Sequence, residues 1–231
     1  MLRNAVRQTK NYVHALLLRG EAYYCPLCDE SYSAFIDRQI CPRCRSYERH
    51  RILWLYLEHL LRQQRIRLGG RLLHVAPEPC LAKVLMRRFD YLSVDREPGH
   101  AMQVADISAL EFAEHSFDVV ICNHVLEHVY DDRKAMSEIQ RVLKPGGWAS
   151  LQVPMRSDAP TDEDPTETDA RERLRRFGQE DHVRLYGFDY FERLQRVGLS
   201  VEAVTWKDFL NRETAERCVA TNDPVFIGWK L

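Results

Sequence analysis

The spacing of hydrophobic and polar positions changes several times along the chain, most clearly between residues 117 and 153. Residues 117–122, FDVVIC, are a short apolar run rich in β-branched side chains, the pattern of a strand buried on both faces. From 126 to 143 the apolar positions Val129, Met136, Ile139, Val142 and Leu143 recur at helical spacing with charges between them, which predicts an amphipathic helix. Lys144-Pro145-Gly146-Gly147 breaks it, because proline cannot continue a helix and glycine readily takes a positive φ. A second buried strand is predicted over 148–153. Strand, helix, glycine turn and strand compose one right-handed βαβ unit of a parallel sheet.

Alternation of this kind starts earlier. Residues 46–67 read as a helix with Ser46 as its N-cap and a broad apolar side through Ile52, Leu53, Leu57, Leu60 and Leu61. Residues 72–76 read as a strand, 77–80 as a turn, 81–88 as a helix and 91–94 as a strand ending in Asp95. Beyond 153 the period is lost over 154–183, where a polar, acidic, proline-bearing loop precedes a short basic helix. A loop this long in a compact domain is functional or disordered. A helix over 187–197 and strands over 199–205 and 224–230 follow, while 207–223 shows no clear pattern. Residues 1–20 alternate basic and apolar positions and read as a helical leader without an assigned role.

The cysteines change the picture at the N-terminal end. Cys25-Pro-Leu-Cys28 and Cys41-Pro-Arg-Cys44 form two CxxC knuckles twelve residues apart, a spacing that completes a tetrahedral Cys₄ shell for zinc. Four sulfurs leave no open position, so the metal's role is structural. The expected organisation is a leader over 1–20, a zinc ribbon over 21–46, a connector helix over 47–68 and one domain over 69–231 with an insert at 154–183. Arg43, Arg45, Arg49 and Arg51 crowd behind the second knuckle, which makes nucleic acid a candidate partner of the ribbon.

Composition narrows the classes. A hydrophobic fraction of 45% with 29% charged residues is that of a soluble globular protein, and a net charge of -1 singles out no polyanionic partner in bulk. No apolar run approaches the roughly 18 residues that span a bilayer, and ALLL is too short for a signal-peptide core, so a cytoplasmic protein without membrane contact is expected.

The run FDVVICNHVLEHV followed by RVLKPGGW resembles the fourth strand, helix and fifth strand of class I, type 11 S-adenosylmethionine-dependent methyltransferases. That resemblance implies an α/β, Rossmann-like fold: a seven-stranded, mostly parallel sheet with helices on both faces and an antiparallel closing strand. It also implies the cofactor S-adenosylmethionine. In such enzymes an acid and a glycine-rich loop follow the first strand. Here His74 stands in place of the acid, and Ala76, Pro77, Glu78, Pro79 and Cys80 replace the glycines. Either Glu78 supplies the carboxylate from the loop, or cofactor binding is weakened or lost. Asp95 is placed to accept hydrogen bonds from the ribose hydroxyls. The resemblance puts Asp106 against the adenine amino group, Ile107 beside the ring and Asn123 at the cofactor edge of the fourth strand.

His124, Glu127 and His128 gather on one face if the turn after that strand is helical, so a histidine could take a proton from the acceptor with Glu127 orienting it. His182, beside Asp181, is a second candidate base, and Arg184 and Tyr186 are candidates for reading a substrate. HxxEH also spells an inverted zinc-protease motif, but that motif needs a continuous helix, whereas here the first His directly follows a strand. The expected reaction is methyl transfer to an oxygen or nitrogen nucleophile of a small metabolite or sugar. Ribosomal or transfer RNA is the alternative acceptor, and a non-catalytic scaffold the alternative role.

Overall fold

The structure, a computed structural model, describes residues 11–231; half of the leader expected over 1–20 lies outside the described residues. The chain folds as two compact units. Unit 1 gathers Met1–Leu68, Glu78–Arg88 and Val204–Val225, and unit 2 gathers Gly69–Pro77, Phe89–Ala203 and Phe226–Leu231. Segments 78–88 and 204–225, expected in the same domain as the sheet, thus share a unit with the ribbon.

In unit 1 residues 11–17 are helical, as expected of the leader there, and an antiparallel hairpin of β1 (Arg19–Cys25) and β2 (Glu30–Tyr32) follows, which presents the first knuckle in its turn. Its long helix runs Glu48–Arg62 and buries Ile52, Leu53, Trp54, Leu57 and Leu60, the broad apolar side read from the sequence. Ser46 is not its cap. The N-cap is Tyr47, whose backbone N–H donates to Nδ1 of His50 at 3.0 Å, because the Ser46 hydroxyl is held among the thiols. A second helix, Pro79–Leu85, starts on a proline, where the missing N–H costs nothing. The segment without a clear pattern contains the helix Arg212–Arg217, capped by Asn211.

Unit 2 is built on a seven-stranded sheet. Its strands are β3 (Arg71–Val75), β4 (Asp90–Asp95), β5 (Gln103–Val104), β6 (Phe117–Cys122), β7 (Leu143–Ser150), β10 (Leu199–Val204) and β11 (Val225–Lys230), interrupted in sequence by a small ribbon of β8 (Asp162–Glu163) and β9 (Arg184–Leu185). The order is β10-β11-β7-β6-β3-β4-β5. The pairs β3–β4, β3–β6, β4–β5 and β6–β7 are parallel and β11–β7 is antiparallel, as expected for the closing strand. Leu73, Val75, Val120, Cys122, Met136, Ile139, Ala149 and Phe226 form the centre of one core cluster.

Two expectations for 117–153 are corrected. The predicted helix is interrupted: a 3₁₀ turn, Leu126–His128, is separated from the α-helix Asp132–Val142, whose N-cap Asp131 accepts from the Lys134 N–H at 3.0 Å. The glycine turn lies within β7, where the register slips between Phe117↔Leu143 and Val119↔Trp148. Gly146 takes φ +76, and a Cβ on Gly147 would sit 2.9 Å from the carbonyl oxygens of Asp118 and Lys144. Only glycine fits that bulge.

Candidate functional sites

The topological switch point of the sheet falls between β3 and β6, since the chain moves outward from β3 toward β4 on one side and from β6 toward β7 on the other. Open α/β sheets bind ligands at the carboxyl ends of the strands beside that point. The two residues next to it are both left-handed. Ala76 immediately follows β3 with φ 46, and His124 lies two residues after β6 with φ 53. A non-glycine residue held there costs about 1–3 kcal/mol, and such strain clusters at functional sites. Both are fixed by the sheet: the Ala76 N–H donates to Val94 O at 2.8 Å and the His124 N–H to Gln152 O at 2.7 Å.

The expected cofactor residues of unit 2 distribute around this end of the sheet. Asp95 is the last residue of β4, and its Oδ1 accepts from the Glu97 N–H at 2.8 Å. Asp106 follows β5, and its Oδ1 accepts from the Ser108 N–H at 2.8 Å. Each carboxylate is thereby oriented through one oxygen. Ile107 beside it is buried. Asn123 is buried, and its Oδ1 accepts from Ser150 Oγ at 2.8 Å and from the Gln152 N–H at 3.2 Å, so it ties the ends of β6 and β7 together. His74 is a core residue, fully buried, with Nδ1 3.0 Å from the Tyr91 hydroxyl. Glu78 belongs to unit 1, where Oε1 lies 3.8 Å from Nε2 of His50.

The four candidate proton-handling residues do come together. His124 Nδ1 lies 3.4 Å from Glu127 Oε1, and Glu127 is 1% exposed. The rings of His128 and His182 meet edge to face at 4.7 Å. His128 Nδ1 faces Asp181 Oδ2 at 3.3 Å, and His182 Nδ1 faces the Phe177 carbonyl at 3.0 Å. A carbonyl only accepts, so His182 Nδ1 is the donor to Phe177. Glu127 Oε2 and His182 Nε2 are buried without a hydrogen-bond partner. One ligand atom each from Glu127, His128 and His182 lies within 4.8 Å of the others. Such a trio can pass a proton or hold a divalent cation.

Sequence reasoning missed what holds this cluster in place. Arg184 and Tyr186 do not face a substrate, because both are buried. The Arg184 guanidinium donates to Leu126 O at 2.7 Å, to Val129 O, and to Tyr130 O at 3.0 Å, gripping the 3₁₀ turn that carries Glu127 and His128. Tyr186 donates its hydroxyl to Asp132 Oδ2 at 2.8 Å. Buried Asp132 and exposed Glu163 balance the buried Arg184 and Arg193 in one network. The insert is therefore an ordered strap: Val183 N–H donates to Glu127 O at 2.9 Å, and β8 pairs with β9. An arginine two residues past His182 was the available signal, but its buried partners are backbone carbonyls that no pattern shows.

In unit 1 the four knuckle thiols converge. Cys25 and Cys44 sulfurs are 3.5 Å apart and Cys28 and Cys41 sulfurs 3.6 Å, with all four within 4.8 Å of one another. A tetrahedron of zinc–sulfur bonds of about 2.3 Å has edges of about 3.8 Å, so the cluster fits a Cys₄ zinc shell. Hydrogen bonds from the other three thiols hold Cys25 well below the ordinary thiol range. Ser46 Oγ lies 3.3 Å from Cys25 Sγ and 3.2 Å from Cys44 Sγ. Arg51 is fully buried close by; it donates to Cys218 O and Ser46 O at 2.8 Å and stacks over Phe35. The arginines behind the second knuckle therefore do not form one exposed patch. Arg51 is internal, Arg43 pairs with Glu30, and Arg49 lies over Tyr47.

Comparison with known proteins gives this arrangement relatives. The rat (Rattus norvegicus) thiol S-methyltransferase TMT1B is 45% identical over 53 residues, 21% of this chain and 22% of that protein. The demethylmenaquinone methyltransferase of Renibacterium salmoninarum is 42% identical over 52 residues, 22% of each chain. The chain thus spans about a fifth of the length of these curated relatives. Among solved structures, the Pyrococcus horikoshii protein PH0226 superposes with a TM-score of 0.51 at 18% identity, covering 81% of this chain and 93% of that one. A Haloferax volcanii putative methyltransferase, solved in complex with the methyltransferase activator Trm112, has a TM-score of 0.50 at 16% identity, covering 76% and 89%. Residues 67–151 match the family described as a methyltransferase domain, and the α/β, Rossmann-like sheet that contains them has the methyltransferase fold.

Proposed function

We propose that the chain is an S-adenosylmethionine-dependent methyltransferase whose cofactor lies over the carboxyl ends of β3, β4 and β6. The observation that carries the proposal is the meeting, at one end of the sheet, of two oriented carboxylates, Asp95 and Asp106, with the strained residues Ala76 and His124 that flank the switch point. The family match over 67–151 spans all four.

In this reading Asp95 accepts from the ribose hydroxyls and Asp106 from the adenine amino group, with Ile107 as the apolar wall beside the ring. Asn123 shapes the floor by joining β6 to β7. When bound, the cofactor supplies an electrophilic methyl group on a sulfonium. The protein's share is then alignment and proton removal. His128, whose Nδ1 lies 3.3 Å from Asp181 Oδ2, is the ring that takes a proton from an acceptor hydroxyl, amine or thiol. Glu127, His124 and His182 hold that ring's surroundings. In unit 1 the Cys25, Cys28, Cys41 and Cys44 shell holds a structural zinc ion.

The acceptor class is tested by incubating the protein with methyl-labelled cofactor and measuring S-adenosylhomocysteine release with phenol, thiol, amine and RNA acceptors in parallel. Acceptor-dependent release that rises with pH and is lost in His128→Ala supports the reading. Release with no acceptor dependence, or none at all, opposes it.

A further inference from the structure

Unit 1 and unit 2 differ sharply in charge. Among the described residues Lys and Arg number 15 against 11 Asp and Glu in unit 1, a balance of +4, whereas unit 2 carries 15 against 23, a balance of −8. The near-neutral total of -1 hides this division. Four thiolates around one zinc dication leave the first figure positive, at +2. A compact unit with that excess attracts polyanions at long range.

Unit 1 also offers a place for something flat. A surface cavity of about 680 Å³ is lined by Tyr23 of β1, by Arg38 of the knuckle loop, and by Trp206, Lys207, Arg212 and Asn222 of the 204–225 segment. The indole is held in orientation, since its Nε1–H donates to Asn222 Oδ1 at 3.1 Å. Lys207 Nζ lies over the indole ring, 5.8 Å from its centroid, a cation at one face that leaves the other for stacking. Arg38 is exposed and projects from a left-handed residue, φ 62. Arg212 is paired only with Glu216 at 2.7 Å, in a bridge exposed on both sides, which is weak and readily exchanged for phosphate. Partly buried aromatic faces with exposed cations around them are the elements of single-strand recognition: bases stack and the backbone meets the cations. A duplex hides its base faces, and an acidic peptide has no use for the indole.

We propose that unit 1 binds single-stranded RNA, with Trp206 and Tyr23 as base-stacking groups and Arg38, Lys207 and Arg212 as phosphate contacts. The site lies wholly in unit 1, and its occupation does not require that S-adenosylmethionine bind unit 2. A failed cofactor reading would leave it standing, and its own failure would leave that reading standing.

The test is a fluorescence-anisotropy titration of the zinc-loaded full chain, without cofactor, against a labelled single-stranded RNA of about twelve nucleotides. The expected result is saturable binding that weakens with salt and is stronger than for the same sequence as a duplex or for polyglutamate. Trp206→Ala should weaken it roughly 5- to 150-fold, while Trp206→Phe keeps most of the affinity. Lys207→Ala, at an exposed position, should reduce the slope of log affinity against log salt by about 1. Unchanged zinc content and thermal midpoint in each variant show that the fold is intact. Absence of saturable binding, equal or tighter binding of polyglutamate or duplex, or full parental affinity in both Trp206→Ala and Lys207→Ala would overturn the proposal.

Discussion

Replacing Arg184 by methionine removes the clamp on the turn that carries Glu127 and His128 while keeping most of the side chain's volume. The guanidinium donates to three backbone carbonyls and neighbours Asp132 and Glu163, at 3.7 and 3.3 Å, in a site where its own side chain is 1% exposed. Removing one member of a buried ion network costs about 3–5 kcal/mol, because the partners left behind keep their desolvation penalty. Arg193 also pairs with Asp132 and Glu163, and Glu163 reaches water, so the loss falls toward the lower part of that range. For a chain of this size each kcal/mol lowers the melting temperature by about 2–4 °C, so a fall of roughly 6–12 °C is expected. Arg184→Lys should lie between, since an ammonium cannot reach three carbonyls in the fork geometry. Urea unfolding gives the free energy, and amide exchange over residues 124–132 locates it. A variant within about 1 kcal/mol of the parent, with exchange over that turn unchanged, would refute the clamp.

Other outcomes follow from the same packing. The carboxyl of Glu163 is held below its ordinary value of about 4.5, chiefly by the hydrogen bond from Arg193, and that of Glu138 likewise by Arg141. Depressed carboxylates contribute stability that is complete above the unfolded value and lost as pH falls through the folded one. The melting temperature should therefore be flat toward neutrality and drop below about pH 4.5, less steeply in Glu163→Gln. Cys41→Ser should abolish stoichiometric zinc by atomic absorption and expose residues 19–45 to protease, because a three-sulfur shell no longer closes the ribbon. Arg51→Met should weaken zinc retention about 10- to 100-fold in a chelator competition, since the buried guanidinium is the cation beside the thiolate cluster. His128→Ala should spare S-adenosylhomocysteine affinity and remove acceptor-dependent turnover; an unchanged pH–rate profile would exclude the ring as base.

Much of unit 2 was legible because parallel strands are covered on both faces and so read as unbroken apolar runs. Phe117–Cys122 is such a case, matching the expected strand at both ends. The helix Asp132–Val142 was likewise announced by Met136, Ile139 and Val142. Its start was misplaced because Leu126 and Val129 also sit at helical spacing, whereas their carbonyls are held by Arg184, fifty-eight positions from Leu126. The glycines at 146 and 147 looked like a turn; a bulge inside a strand has the same local composition. The cysteine knuckles were readable because metal spacing is local. Arg51 was not, since nothing in a basic run says which arginine turns inward. The charge division between the units stayed hidden because unit 1 is assembled from three separated stretches whose positive balance is offset in the total by the negative balance of unit 2.

The account rests on Asp95 as a ribose-binding carboxylate at the end of β4. Calorimetric titration of S-adenosylhomocysteine into the parent chain and into Asp95→Ala tests it directly. Hydrogen bonds to a charged acceptor are worth about 1.5–3 kcal/mol each, so losing them should weaken binding at least tenfold at one-to-one stoichiometry. No heat with the parent chain, or the same affinity in both proteins, would contradict it.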